Sequence, residues 1–151
     1  MQQVYLDNAA TTPTDAAVVE VISNELLNNW GNASSLHGFG RRARATLDEA
    51  RHIIAQSIHA NDDEIIFTSG GTESNNTAIT QVALRNQDKG KKIITTAIEH
   101  PSVLNPMRRL ESMGFEVTYL GVDQNGLISL DEFKNALDDQ TILVSIMTGN
   151  N

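Results

Sequence analysis

The sequence predicts an α/β fold, a mostly parallel sheet flanked by helices, and two observations support this class. From residue 64 onward, short apolar segments alternate with segments whose apolar residues recur at helical spacing. The apolar segments are nearly continuous, as in strands covered on both faces, and their alternation with helices is typical of parallel sheets. The predicted strands are 65–67, 92–97, 115–120 and 142–147, and the predicted helices are 73–86, 102–113 and one near 130–137.

Two helices are also expected before residue 64. Thr14 or Asp15 caps the first, and a long irregular connection, residues 30–40, precedes the second. Loops of this length inside a domain are commonly functional. The apolar positions that define the helix faces are Val19, Ile22 and Leu26 in the first helix, and Ala43, Leu47, Ala50 and Ile54, facing inward, in the second.

Composition narrows the classes of function. The 151 residues fit one domain, and a formal net charge of −8 argues against nucleic acid or an anionic membrane as a direct partner. The absence of cysteine excludes disulfides, thiolate metal sites and cysteine nucleophiles within the sequence. With no targeting segment and no apolar run long enough to cross a bilayer, the expected location is the cytoplasm.

The predicted strand 65–67 leads through Gly70 and Gly71 into a helix. The first N–H groups of a helix lack helical partners, and the helix dipole is positive there, so the segment favours a phosphate or another anion. Gly71 allows close approach of the backbone, and Thr72 adds a hydroxyl. The alternative is an ordinary capped helix start, with Ser69 or Thr72 as the N-cap.

Ligands of such sheets bind beyond the carboxyl ends of the strands. Three predicted strand exits carry suitable groups: residues 69–72, His100 in the segment 98–100, and the amides of 148–151. An anion cradle, an imidazole and amides at one end of a sheet predict a site. For His100 alone, a structural role is the alternative. His37 is a weaker candidate, and His52 and His59 are expected to be structural or solvated.

No metal site is predicted. Residues 121–132 place several side chains as an EF-hand calcium loop does, but its first position is Gly121 instead of an aspartate. The preceding segment also reads as a strand and not as a helix. A tight turn followed by a helix with Asp131 and Glu132 in its first turn explains the same residues.

A set of motifs, in order along the whole chain, resembles the cysteine desulfurases, pyridoxal-phosphate enzymes of the class V aminotransferase-like group. The set comprises YLDNAATTP at 5–13, NASSLH at 32–37 followed by Gly40-Arg41, TSGGTESNN at 68–76, Glu99-His100, and GNN at 149–151. The resemblance implies part of the large domain of a fold type I enzyme. Residues 1–14 would be the N-terminal segment that leads into it, and residues 15–151 an incomplete cofactor-binding large domain.

The resemblance also implies a role for each matching residue. The backbone N–H groups of Gly71 and Thr72, with the Thr72 hydroxyl, would hold the phosphate of pyridoxal 5'-phosphate. His100 would stack on the cofactor ring and move a proton. Asn151, rather than Asn150, would hydrogen-bond the phenolic oxygen of the cofactor. The implied partners are L-cysteine, a sulfur-acceptor protein and a second copy in a homodimer.

Other groups that the resemblance calls for are absent from the sequence. The family's cofactor-attaching lysine follows a Ser-x-His pattern, and no lysine here has that context; the sulfur-accepting cysteine is missing as well. The chain looks like the first two-fifths of a desulfurase, so we expect it to be inactive alone. Another class V enzyme, such as a selenocysteine lyase or an aminotransferase, and a non-catalytic phosphate-binding module are the alternatives.

The same resemblance predicts a gap in the sheet. In the family, later strands separate the strand matching 65–67 from the other three. Without those strands, unpaired backbone edges would remain and invite association. We therefore expect the 151 residues alone to be only marginally stable.

Overall fold

The computed structural model of the chain describes residues 3–150, which divide after Phe67 into two units. The first unit holds α1 (Ala16–Asn28), α2 (Gly38–Ser57) and a 3-10 turn (Asp62–Glu64). The second unit alternates helices and strands in the order α3 (Gly71–Asn86), β1 (Lys92–Thr96), α4 (Pro101–Ser112), β2 (Glu116–Leu120), α5 (Leu130–Ala136) and β3 (Thr141–Ser145). Across residues 3–150, no helix combines the length and the apolar character that a bilayer crossing requires.

The apolar faces of α1 and α2 are largely open. Asp15 caps α1, its carboxylate accepting the N–H of Ala17 at 2.8 Å, but no residue of α1 is buried. In α2, Ala43 and Leu47 are half-buried, whereas Ala50 and Ile54 are exposed, so their predicted inward orientation is wrong. Helical spacing defines a face, but burial also requires a neighbour to cover it.

Packing explains two of the three glycines in the 30–40 connection. A Cβ atom on Gly31 would lie 2.4 Å from the Phe39 carbonyl oxygen, and one on Gly40 would lie 2.2 Å from that of Ser35. Both distances are far below a van der Waals contact. These two positions therefore exclude any side chain, because the loop folds back on itself.

The second unit confirms the predicted parallel sheet. The strand order is β2-β1-β3, and both neighbours run parallel to β1. Because β1 is the central strand, it is the most buried of the three, and its residues Ile93, Ile94 and Thr95 are fully inaccessible to solvent. The apolar sequence of β1 follows from this position, because both of its faces are covered.

The predicted strand at 65–67 is not a strand in the structure. Ile65 has an extended backbone, but no strand pairs with this segment anywhere in residues 3–150. Ile66 is 76% exposed and Phe67 is 44% exposed. An apolar, β-branched segment forms a strand only if a neighbouring segment supplies the hydrogen bonds of the ladder, and none within residues 3–150 does so.

One apolar cluster holds the second unit together. It joins α3, α4, β1 and the residue before β2, and its buried members are Ile79, Ala83, Ile93, Val103, Met107, Leu110 and Phe115. Truncation of a buried leucine or methionine in such a cluster typically costs about 2–5 kcal/mol. The cluster therefore fixes the two helices on the sheet, and with them the positions of their first turns.

The segment after β2 is the tight turn that the sequence predicts. The Asp123 carboxylate accepts the N–H groups of Asn125 at 2.8 Å and of Leu127 at 2.9 Å, and Gly126 takes the positive φ that the turn requires. These two N–H donors lower the pKa of Asp123, that of Leu127 being the larger influence. The carboxylate thus organises the local backbone.

Close contact at the start of the sheet leads to a prediction for Gly90. A Cβ atom at this buried position would lie 2.3 Å from the carbonyl oxygen of Gln140, which also accepts the N–H of Lys92. Gly90→Ala should push the starts of β1 and β3 apart and lower the free energy of unfolding by about 1–3 kcal/mol. Urea unfolding of the protein expressed from its complete gene measures this.

Gly121→Ala is the matched control, because a Cβ atom there meets nothing within 4 Å. The control should unfold at the same urea concentration as the unchanged protein or slightly higher. Equal midpoints for the two variants would contradict the packing argument.

Candidate functional site

The first turn of α3 is open in the way that an anion site requires. Gly70 is the N-cap residue, and no side chain of residues 3–150 caps the helix there. This finding excludes the alternative in which Ser69 or Thr72 is the N-cap. Cβ atoms built on Gly70 and Gly71 would meet nothing within 4 Å, and Thr72 is exposed. A phosphate can therefore approach the N–H groups of Gly71 and Thr72 without meeting a side chain.

A carboxylate lies in the same turn but is engaged by Ser69. Oε2 of Glu73 accepts the Ser69 N–H at 2.6 Å and the Ser69 hydroxyl at 2.7 Å. These bonds lower the pKa of Glu73, the backbone donor having the larger effect, so the group is ionised at neutral pH. Glu73 therefore accepts hydrogen bonds from Ser69, and these bonds do not involve the N–H groups of Gly71 and Thr72.

His100 lies between β1 and α4 and caps that helix. Its Nδ1 accepts the N–H of Ser102 at 3.1 Å. Pro101, the first residue of the helix, has no N–H, so Ser102 carries the first donor that α4 can offer. His100 is exposed, and Nε2, the other ring nitrogen, takes no part in this bond.

Two asparagines connect the first turn of α3 to that of α4. Asn75 donates from Nδ2 to the Ser102 hydroxyl at 2.9 Å. Asn76 donates from Nδ2 to the backbone oxygens of Thr72 at 2.8 Å and Ser102 at 3.3 Å. Pro106 cannot supply the helical N–H that the Ser102 carbonyl lacks, and Asn76 takes its place.

The end of β3 reaches the same edge of the sheet. Asn150 donates from Nδ2 to the carbonyl oxygen of Ile98 at 2.6 Å. Glu99 is 7% exposed and accepts the N–H of Met147 at 2.6 Å and the hydroxyl of Thr96 at 3.2 Å. A buried carboxylate thus holds the segment after β3 against the segment that carries His100.

The structure brings most of the predicted site together. Gly71, Thr72 and His100 lie on adjoining helix starts within one unit, and Asn150 lies at the neighbouring strand exit. Asn151 lies outside the described residues. In the first unit, His37 caps α2 through Nδ1 and the Gly40 N–H at 3.4 Å, and His52 is bonded to Asp62 at 3.0 Å on an exposed face.

Four residues of the site were not predicted as site residues from the sequence: Asn75, Asn76, Glu99 and Ser102. A proline inside a predicted helix marks the carbonyl four residues earlier as lacking its donor, and this signal at Pro106 points to Ser102. Glu99 carried a weaker signal, a charged residue directly after an apolar strand.

Comparison with known proteins agrees with this geometry. The sequence matches the Aminotransferase class-V family over residues 4–151. Cysteine desulfurase IscS of Dictyoglomus turgidum is 53% identical over 150 residues, which cover 99% of this chain and 38% of that protein. The chain spans about two-fifths of the length of the curated relatives it matches.

Two solved structures share the fold. A NifS-like protein superposes with a TM-score of 0.92 at 40% identity, covering 99% of this chain and 41% of its own. SspA in complex with cysteine superposes with a TM-score of 0.84 at 38% identity, covering 94% of this chain and 41% of its own. With the family match over nearly all of its residues and this parallel sheet between helices, the chain belongs to the class V aminotransferase family.

Proposed function

We propose that this chain is the cofactor-binding part of a pyridoxal-phosphate-dependent cysteine desulfurase, which converts L-cysteine to L-alanine and passes the sulfur on as a protein persulfide. One observation carries the proposal: the open first turn of α3, with the N–H groups of Gly71 and Thr72, is joined through Asn75 and Ser102 to His100. The reaction is proposed by analogy with the relatives, since IscS is called a cysteine desulfurase and SspA was solved in complex with cysteine.

The residues present fit the cofactor. Its phosphate would be held by the N–H groups of Gly71 and Thr72 and by the Thr72 hydroxyl, where open space surrounds both glycines of the turn. His100 would stack on the ring, and Asn151, or less favourably Asn150, would hydrogen-bond its phenolic oxygen. When bound, pyridoxal 5'-phosphate supplies an electron sink for the charge that develops on the substrate carbon.

The rest of the proposed machinery lies outside these 151 residues. The sulfur-accepting thiolate cannot come from them, because they contain no cysteine. Within them, the proposed work is binding and orientation: the first turn of α3 anchors the phosphate, Asn76 fixes that turn against α4, and Glu99 holds the segment after β3 beside His100. We further propose a cytoplasmic homodimer that serves iron–sulfur cluster assembly or tRNA thiolation through a sulfur-acceptor protein.

A proline at position 71 tests the phosphate site without disturbing the helix. Gly71 is the first residue of α3, where proline is well tolerated, and Gly70 has the extended backbone that suits a residue before proline. Gly71→Pro removes one N–H donor, so the affinity for pyridoxal 5'-phosphate should fall about ten- to a hundredfold. Absorbance titration of the protein expressed from its complete gene measures the loss.

Leu130→Pro is the matched control, because it places proline at the first residue of α5, where it replaces an exposed side chain. This control should bind the cofactor as the unchanged protein does. Pyridoxal without its phosphate should bind both variants equally. If Gly71→Pro retains full preference for the phosphorylated form, the proposed phosphate site is wrong.

The 151 residues by themselves should not release alanine from L-cysteine. They contain no thiol to accept sulfur and no lysine in the sequence context that the family uses to attach the cofactor. The measurement is alanine formation with added pyridoxal 5'-phosphate, compared with free cofactor alone and with the Dictyoglomus turgidum relative as positive control. Alanine above the free-cofactor background would show that these residues suffice for the reaction.

A further inference from the structure

The hydrogen bonds around His100 define which ring nitrogen carries the proton. Nδ1 lies 3.1 Å from the backbone nitrogen of Ser102 and 2.8 Å from the hydroxyl oxygen of the same residue. A backbone N–H can only donate, so Nδ1 must accept. A neutral imidazole whose Nδ1 accepts carries its proton on Nε2.

The second contact on Nδ1 depends on Asn75. Its side-chain nitrogen lies 2.9 Å from the Ser102 hydroxyl oxygen and donates to it. That oxygen has two lone pairs and one proton, so the Asn75 N–H uses a lone pair and leaves the hydroxyl proton free to donate to Nδ1. The hydroxyl then shares the single lone pair of Nδ1 with the Ser102 N–H. Ser102 is only 6% exposed, so water competes little for this proton.

We propose that Ser102 and Asn75 are positioning residues that hold His100 as the neutral tautomer with its proton on Nε2. The chain of donors runs from the Asn75 amide to the Ser102 hydroxyl and from there to Nδ1. The opposite tautomer would place an N–H on Nδ1 against the backbone N–H of Ser102. That arrangement would cost the helix its cap and leave two donors facing each other.

The tautomer decides what His100 offers to a bound molecule. Nε2 presents an N–H donor, so His100 donates a hydrogen bond there and does not remove a proton through that atom. The inference rests on the proposed function in one respect: the group that lies opposite Nε2 would be a cofactor or its substrate. The protonation pattern itself is a property of these three side chains and exists without any ligand.

Nuclear magnetic resonance tests the pattern on ligand-free protein expressed from its complete gene and labelled with ¹⁵N-histidine. Long-range proton–nitrogen correlations at neutral pH distinguish the two tautomers, and the signals that vanish in His100→Gln belong to His100. The unchanged protein should show the proton on Nε2. Ser102→Ala should raise the ratio of Nδ1–H to Nε2–H about three- to tenfold, the effect of losing one neutral hydrogen bond. Ser102→Thr, which keeps the hydroxyl, should restore the original ratio.

Asn75→Asp tests the direction of the chain independently of Ser102. A carboxylate accepts the Ser102 hydroxyl proton and draws it away from Nδ1, so this variant should shift the tautomer ratio as Ser102→Ala does. Two matched controls make the same chemical changes on the same helices. They are Asn86→Asp on α3, whose amide bonds the Val82 oxygen, and Ser112→Ala on α4, whose hydroxyl bonds the Arg109 oxygen. Both controls should leave the His100 signals unchanged.

Separate outcomes distinguish this inference from the proposed function. A proton on Nδ1 in the unchanged protein, or an unchanged ratio in both Ser102→Ala and Asn75→Asp, overturns the positioning role. A purely structural role for Ser102 would lower stability and leave the ratio as it was. Failure to bind pyridoxal 5'-phosphate overturns the proposed function instead and leaves the spectra of the ligand-free protein interpretable.

Discussion

The site depends on the hydrogen bonds that Asn75 and Asn76 of α3 make to Ser102 of α4. Both helices begin at the same edge of the sheet, but a parallel sheet fixes only where helices begin, not how their first turns face each other. The two amides supply that information. They satisfy a buried hydroxyl and a carbonyl left without its helical donor by Pro106, groups that would be costly to bury unpaired. The same bonds that stabilise the interface therefore align the anion site with His100.

A second set of polar contacts extends this arrangement to the end of β3. Glu99 is buried, and its carboxyl group accepts hydrogen bonds from the Met147 N–H and the Thr96 hydroxyl. Because β1 is the central strand, a residue just beyond its end can reach the exits of its neighbours. The strand order thus explains why the loop after β1 carries His100 and also anchors the segment of Asn150.

The two units differ in how much of their apolar surface is covered. The second unit has a continuous core between α3, α4 and β1, whereas α1 of the first unit has no buried residue. Leu26, Leu27 and Trp30 are each about 70% exposed. Exposed apolar faces of this kind, together with the unpaired segment at 65–67, are consistent with a chain that gains further packing from other polypeptide. The curated class V relatives are longer, and this chain covers about two-fifths of their length.

Local sequence determined a large part of this protein. Apolar runs and helical periodicity identified the parallel α/β class and three of the four predicted strands. Glycines before a helix predicted an anion site, and a set of motifs along the whole chain indicated the family. These features depend on neighbours in the chain, which is why a sequence can reveal them.

Tertiary structure decided the rest, because the remaining features need a partner from elsewhere in the chain. Among residues 3–150, the segment 65–67 has a strand-like sequence but no strand to pair with, and Ala50 and Ile54 have helical spacing but remain exposed. Asn75, one of the two residues that orient His100, comes from a helix about 25 residues earlier, and no local periodicity predicts its bond to Ser102. A hydrogen bond between distant residues exists only once the core has brought its donor and acceptor together, so only the folded chain shows that Ser102 accepts from Asn75 while holding Nδ1 of His100.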